Sequence, residues 1–228
     1  MNNPIKTLTK REWSIWLGSI IIVLISNLAT KDFDLLTLVA ALTGVTSLIF
    51  AAKGNVWGQA LMILFSILYG IISFRFRYWG EMMTYLGMTL PMAVWSTITW
   101  IENPSENNGN EVQIQSLSKK HIVALCISGI IVTAAFYYIL KSFNTPNIIF
   151  STISIITSFI AASLTMLRSS YYAVWYAVND VVLIILWVLA SLKDPAYIPV
   201  VVNFSIFFMN DMYGFMSWKQ RELEQAEV

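Results

Sequence analysis

Asp180 sits in the middle of an apolar run, Tyr171–Leu192, where a carboxylate needs a reason to be. Ionisable groups inside such runs cost energy and usually mark a site or a pathway. Asn179 precedes it. On a helix, Tyr172, Trp175, Tyr176, Asn179 and Asp180 fall within an arc of about 140°. The opposite face is Val, Ile and Leu. A second set lies further on: Asn203, Phe207, Asn210 and Gly214 form one stripe, with Asp211 one step round. Glu81, Thr84, Tyr85, Met88, Met92 and Trp95 share a face of another run, and Asn55, Gln59, Ser66 and Ser73 share one of a third.

Aromatic faces attract cations and stack on heteroaromatic rings. Asn and Gln offer both donor and acceptor to an amide or a hydroxyl. Together they suit a flat, neutral or cationic solute that bears hydroxyls. An anion would call for converging Arg or Lys, and the middles of the runs contain none. Each residue also has a plainer reading. Asn and Ser glue helices together, Glu81 suits a boundary or a helix cap, and Asp180 could pair with Arg168 or Lys53. Catalysis finds little support. One histidine, His121, stands beside Lys119 and Lys120 and reads as interfacial, and one cysteine, Cys126, excludes an internal disulfide. An intramembrane enzyme or a passive channel is therefore the weaker alternative, and no metal or cofactor is expected.

The elements that carry these residues must be membrane helices. The chain is 57% apolar and 12% charged, against roughly 45–50% and 25% in soluble domains. Its apolar runs of about 20 residues match a bilayer core. Eight are expected: Trp13–Ala29, Leu35–Ala52, Asn55–Phe74, Gly80–Ile101, His121–Leu140, Asn147–Leu167, Tyr171–Leu192 and Ala196–Trp218. The first follows a polar, basic start and lacks a clear cleavage site, so it reads as a retained helix. Whether it spans or lies on the surface stays open. Glu102–Lys120 reads as a solvated loop, and the tail from Lys219 as charged and helix-prone. The net charge of +1 gives no reason to expect nucleic acid as a partner.

The sequence also matches itself at an offset of 118 residues. Val56-Trp57 falls on Val174-Trp175, Ile67-Leu68 on Ile185-Leu186, Tyr69 on Trp187, and Trp100 on Trp218. Segments two to four thus repeat as six to eight. Two three-helix units in the same orientation need one span between them, and His121–Leu140 supplies it. The expected fold is all-α and integral to the membrane: a seven-helix 3+1+3 core of two parallel three-helix repeats plus an N-terminal hydrophobic helix. The expected divisions are 1–34, 35–101, 102–146, 147–219 and 220–228. Parallel repeats of this kind hold substrate between the halves of transporters. Asn179 corresponds to Leu61 and Asn210 to Met92, so the polar lining is weighted towards the second half.

Three motifs carry a resemblance. Trp79-Gly80-Glu81-Met82-Met83-Thr84-Tyr85-Leu86-Gly87-Met88-Thr89-Leu90-Pro91-Met92, Trp175-Tyr176-Ala177-Val178-Asn179-Asp180 and Asn210-Asp211-Met212-Tyr213-Gly214-Phe215 resemble those of PnuC-type nicotinamide riboside transporters. The likeness runs from about Leu35 to Trp218. It implies the SWEET-related 3+1+3 fold, facilitated diffusion of a vitamin trapped by phosphorylation inside the cell, and a homo-oligomer, with trimers known in the family. Thiamine is the rival substrate, since relatives carry it. By resemblance Trp175, Asn179 and Asn210 line the substrate site. Facing and depth add Asn203, Gln59, Tyr85, Tyr176 and Asp180.

With all eight runs spanning, Lys6, Lys10, Arg11, Lys53, Lys119, Lys120, Arg168, Lys219 and Arg221 share one side, and Lys31, Arg75, Arg77, Lys141 and Lys193 the other. The richer side faces the cytoplasm. A reporter fused after Val228 should therefore be active only inside the cell, and activity confined to the outside would overturn this topology.

Overall fold

The computed structural model describes residues 4–29, 33–75, 78–106, 108–145 and 147–226. Lys31, Arg77 and Val228 lie outside the described residues. Nine α-helices are described: α1 (Lys10–Leu28), α2 (Leu35–Ala52), α3 (Val56–Arg75), α4 (Trp79–Thr84), α5 (Leu90–Glu102), α6 (Lys119–Ser142), α7 (Ile148–Met166), α8 (Tyr172–Ser191) and α9 (Ile198–Ala226). Seven helical stretches are long and apolar enough to cross a bilayer: α1, α2, α3, α6, α7, α8 and the stretch that contains α9.

The fourth expected span is broken. Gly80–Ile101 reads as one run, but a π-helical turn, Tyr85–Thr89, separates α4 from α5. Pro91 is the cause. It has no N–H to offer the preceding turn, and the Leu90 N–H reaches back five residues to the Tyr85 carbonyl. Such bulges sit where a helix serves a site.

Helix pairing follows the repeat. Within each unit, α2 packs on α3 and α7 on α8. Between units, α2 packs on α9 and α7 on α5. At the offset of 118, these two contacts are the same contact made twice. One bond seals each. The Trp218 indole donates to the Ala51 carbonyl at 2.8 Å, and the Trp100 indole to the Thr165 carbonyl at 3.0 Å. Ala51 and Thr165 each stand one residue from the end of their helix, where carbonyls lack a partner within the helix. The two buried indoles meet, with ring centroids 5.4 Å apart. Helix α6 packs mainly on α7 and exposes most of its apolar surface, as a linker bathed in lipid would.

The connection after α5 differs from expectation. Rather than a solvated loop, it is a strap laid across one end of the bundle. Val112 is buried and its N–H donates to the Gly54 carbonyl at 2.9 Å. Gly54 holds φ at +67°, a conformation in which a side chain would be strained. Arg221 pairs with Glu111, Arg168 donates to Gln113 and Gln115, and Gln225 bridges Val112 and Ile114. Arg168, just past α7, and Gln225 of α9 thus occupy the strap's backbone groups.

Helix α1 joins this latched end. Thr9 and Glu12 form a reciprocal cap at its start. Glu12 also accepts from Lys53 at 3.2 Å and from the Tyr213 hydroxyl at 3.3 Å. Glu12 and Lys53 are both buried. Breaking a buried pair from one side costs about 3–5 kcal/mol, whereas removing both charges is often neutral. Lys53→Met should therefore lower the melting temperature of the purified protein markedly, and adding Glu12→Gln should recover most of the loss.

Candidate functional site

The opposite end of the bundle, near residues 33–34, 78, 142–145, 147 and 192–197, holds the larger cavities. A vestibule of about 190 Å³ lies between α2, α3 and α9, with Asn27 of α1 and Trp187 of α8 in its wall. Tyr69, Tyr78, Trp187 and Tyr197 give it aromatic sides, Asn203 a polar one, and Asp34 and Asp194 stand at the connections above. Burial pushes the Asp34 carboxyl up, but the Thr37 hydroxyl and N–H and the Arg75 guanidinium bring it, on balance, below its ordinary value. It is therefore ionised at neutral pH and paired with Arg75 at 3.3 Å.

Deeper in the bundle is a cavity of only about 50 Å³. Tyr85, Tyr176, Asn179 and Asp180 line it, together with Glu81 and Asp211. The Asn179 carbonyl accepts from Thr157 at 2.8 Å and from Ser158 at 3.1 Å, which ties α8 to α7 and fixes the orientation of the amide. Asp180 of α8 and Asp211 of α9 line this cavity together. Asp180 Oδ2 is buried without a hydrogen-bond partner. The plainer expectation of a pair with Arg168 or Lys53 fails, since Lys53 is committed to Glu12 and Arg168 to the strap. Glu81 is buried rather than interfacial, and it also lines a third cavity of about 320 Å³ between α4, α8 and the α6–α7 connection.

The expected site residues divide. Tyr85, Tyr176, Asn179 and Asp180 meet in the central cavity, and Asn203 lies in the vestibule. Trp175, Gln59 and Asn210 are not among the lining residues of these three cavities. Trp175 packs against the cluster of Trp100, Tyr172 and Trp218 at the latched end. The Asn210 amide donates to Ser19 of α1 at 3.0 Å, so it binds the N-terminal helix. Gln59 is buried in α3. Phe65, Phe204 and Trp187 were not singled out as site residues. The one hint was the alignment of Trp187 with Tyr69 in the repeat, since both line the vestibule.

The vestibule and the central cavity have no Lys or Arg among their described lining residues, and five carboxyl groups. The arrangement suits a cationic aromatic solute at membrane depth. The family described as nicotinamide mononucleotide transporter matches residues 34–220. The chain belongs to this family. It is therefore a multi-pass protein of the cell membrane with a transporter's fold. A nicotinamide riboside transporter PnuC of Neisseria mucosa is 24% identical over 187 residues, 79% of this chain and 70% of that protein. One of Haemophilus influenzae is 22% identical over 206 residues, 90% of this chain and 88% of that protein. A crystal structure of the vitamin B3 transporter PnuC superposes with a TM-score of 0.83 at 21% identity, covering 96% of this chain and 94% of that one.

Asn179→Leu removes the acceptor shared by Thr157 and Ser158 and copies the repeat partner Leu61. It should weaken solute binding roughly tenfold or more, the factor that a kcal/mol or two commands, in protein that still elutes as a folded species. Asp180→Asn keeps the side chain's size, removes its carboxylate from the cavity and should lower the affinity for a cation without lowering expression. Equilibrium binding on both purified variants checks this.

Proposed function

We propose that the protein carries nicotinamide riboside into the cell by facilitated diffusion, with phosphorylation inside trapping the vitamin. The observation that carries the reading is the sign of the path. Asp34 and Asp194 stand over the vestibule, and Glu81, Asp180 and Asp211 over the central cavity, with no basic side chain among the described lining residues. A riboside with a cationic pyridinium ring is attracted there. The mononucleotide adds a phosphate, which wants Arg, Lys or a helix N-terminus.

In this reading Asn179 and Asp180 bind the solute's polar groups, with Tyr85 and Tyr176 against its ring. Trp175 lies one turn from Asn179 on the same face, towards the cytoplasmic end by the charge count. It would line the inner half of the path when that half opens. The central cavity, at about 50 Å³, has room for roughly one or two waters, so the solute must be admitted by movement of the helices. The units 35–101 and 147–219 are the bodies proposed to move. The homo-oligomer implied by the family is part of the same proposal.

Titrating purified protein with nicotinamide riboside, nicotinamide mononucleotide, thiamine and riboflavin tests this. Nicotinamide riboside should bind, and the mononucleotide at least about a hundredfold more weakly, near 2.7 kcal/mol. Proteoliposomes should take up the riboside without an ion gradient. Equal binding of the mononucleotide, or preference for thiamine, would overturn the assignment.

A further inference from the structure

Three side chains, Phe65, Phe204 and Phe207, line both the vestibule and the central cavity. We infer that the vestibule is a separate capture station for a flat cation bearing a carboxamide, and that these three rings are the barrier the solute crosses next. The inference rests on the transporter reading above and divides the path into two stations.

The vestibule has what a station needs. Trp187 and Asn203 line it, and Trp187 Nε1 and Asn203 Oδ1 are buried without a hydrogen-bond partner. Both residues are more than nine-tenths buried, with 5% of Trp187 and 7% of Asn203 exposed. A buried donor and a buried acceptor left unpaired are costly, and each such pair of atoms in a native protein asks for an explanation. A primary carboxamide is both acceptor and donor, so one group on the solute could serve both. Tyr69, Tyr78 and Tyr197 supply aromatic surface for the cationic ring.

The barrier is built from both halves of the molecule. Phe65 belongs to α3, whereas Phe204 and Phe207 belong to α9. Phe207 meets Phe65 edge-on with centroids 5.8 Å apart and Phe204 at 5.6 Å. Gly44 of α2 makes the seat: a Cβ there would stand 2.7 Å from Phe207 and 3.1 Å from Phe65. The rings are not a by-product of duplication, because their partners at the 118 offset are Leu183, Leu86 and Thr89. Since the rings come from different three-helix units, any movement of one unit against the other parts or closes them.

Cysteine accessibility tests both halves without presupposing the natural solute. In protein with Cys126 replaced by Ser, cysteine is placed at Ala196 in the vestibule or at Ser158 in the central cavity. A membrane-impermeant thiol reagent is added from the face that carries residues 192–197. Ala196→Cys should react at least about tenfold faster than Ser158→Cys. Adding Phe207→Ala, or the gentler Phe204→Leu should the first fail to fold, should raise the Ser158→Cys rate towards that of Ala196→Cys. The probe 1-methylnicotinamide, a bare cationic ring with a carboxamide, should slow labelling of Ala196→Cys, and Trp187→Phe should abolish that protection. Equal rates at the two positions with all three Phe present would overturn the barrier, as would no effect of either ring substitution in folded protein. Absence of protection at millimolar probe would overturn the capture station. Failure of nicotinamide riboside to bind would instead strike the substrate assignment and leave the labelling result standing.

Discussion

Hydrocarbon offers no hydrogen bonds, and this one constraint shapes the chain at every level. Backbone groups must be satisfied within the segment, so the spans are helices. Where a helix is interrupted, as at Pro91, the freed groups are taken up by a π turn between Tyr85 and Thr89. Polar side chains must likewise find partners inside the protein. Asn179 finds Thr157 and Ser158, Asn210 finds Ser19, and Glu12 finds Lys53 and Tyr213. Each of these bonds joins two helices, so the polar residues that lipid will not tolerate become the pins that orient the bundle.

The two ends of the bundle spend these pins differently. At one end the strap 103–118, the Trp100 and Trp218 indoles and the Glu12–Lys53 pair tie α1, α2, α5, α7 and α9 together. At the other, the described ion pair is Asp34 with Arg75, which is largely exposed at 54% of the Arg75 side chain. Exposed pairs of this kind contribute about 0–1 kcal/mol. The vestibule lies at this second end, and the described indole bonds and strap contacts close the first.

Much of this was legible in the chain. Apolar run length marked the helices, because bilayer thickness sets that length directly. The match of Trp100 with Trp218 marked the duplication, and each indole proves to bond a helix-end carbonyl of the other unit. The depth of Asp180 and its neighbour Asn179 marked the middle of the molecule, because a buried charge is too costly to place without cause. Periodicity gave the shared face of Tyr176, Asn179 and Asp180, and those three residues do line one cavity.

Other features depend on which helix face meets which neighbour, and periodicity carries no information about that. Asn203 and Asn210 share a stripe on α9, yet the first faces the vestibule and the second faces α1, because two different helices cover that stripe at two depths. Phe204 looks like an ordinary packing residue until α3 brings Phe65 against it and Phe207. The strap looks like a solvated loop because its partners, Arg168, Arg221 and Gln225, lie 53 to 113 positions away in sequence. The sequence by itself determined the apolar segments, the duplication and the depth of the carboxyl groups, since hydrophobicity and spacing are local properties. Only the tertiary structure decided which polar groups pair and which face a cavity, since pairing is settled between helices by packing.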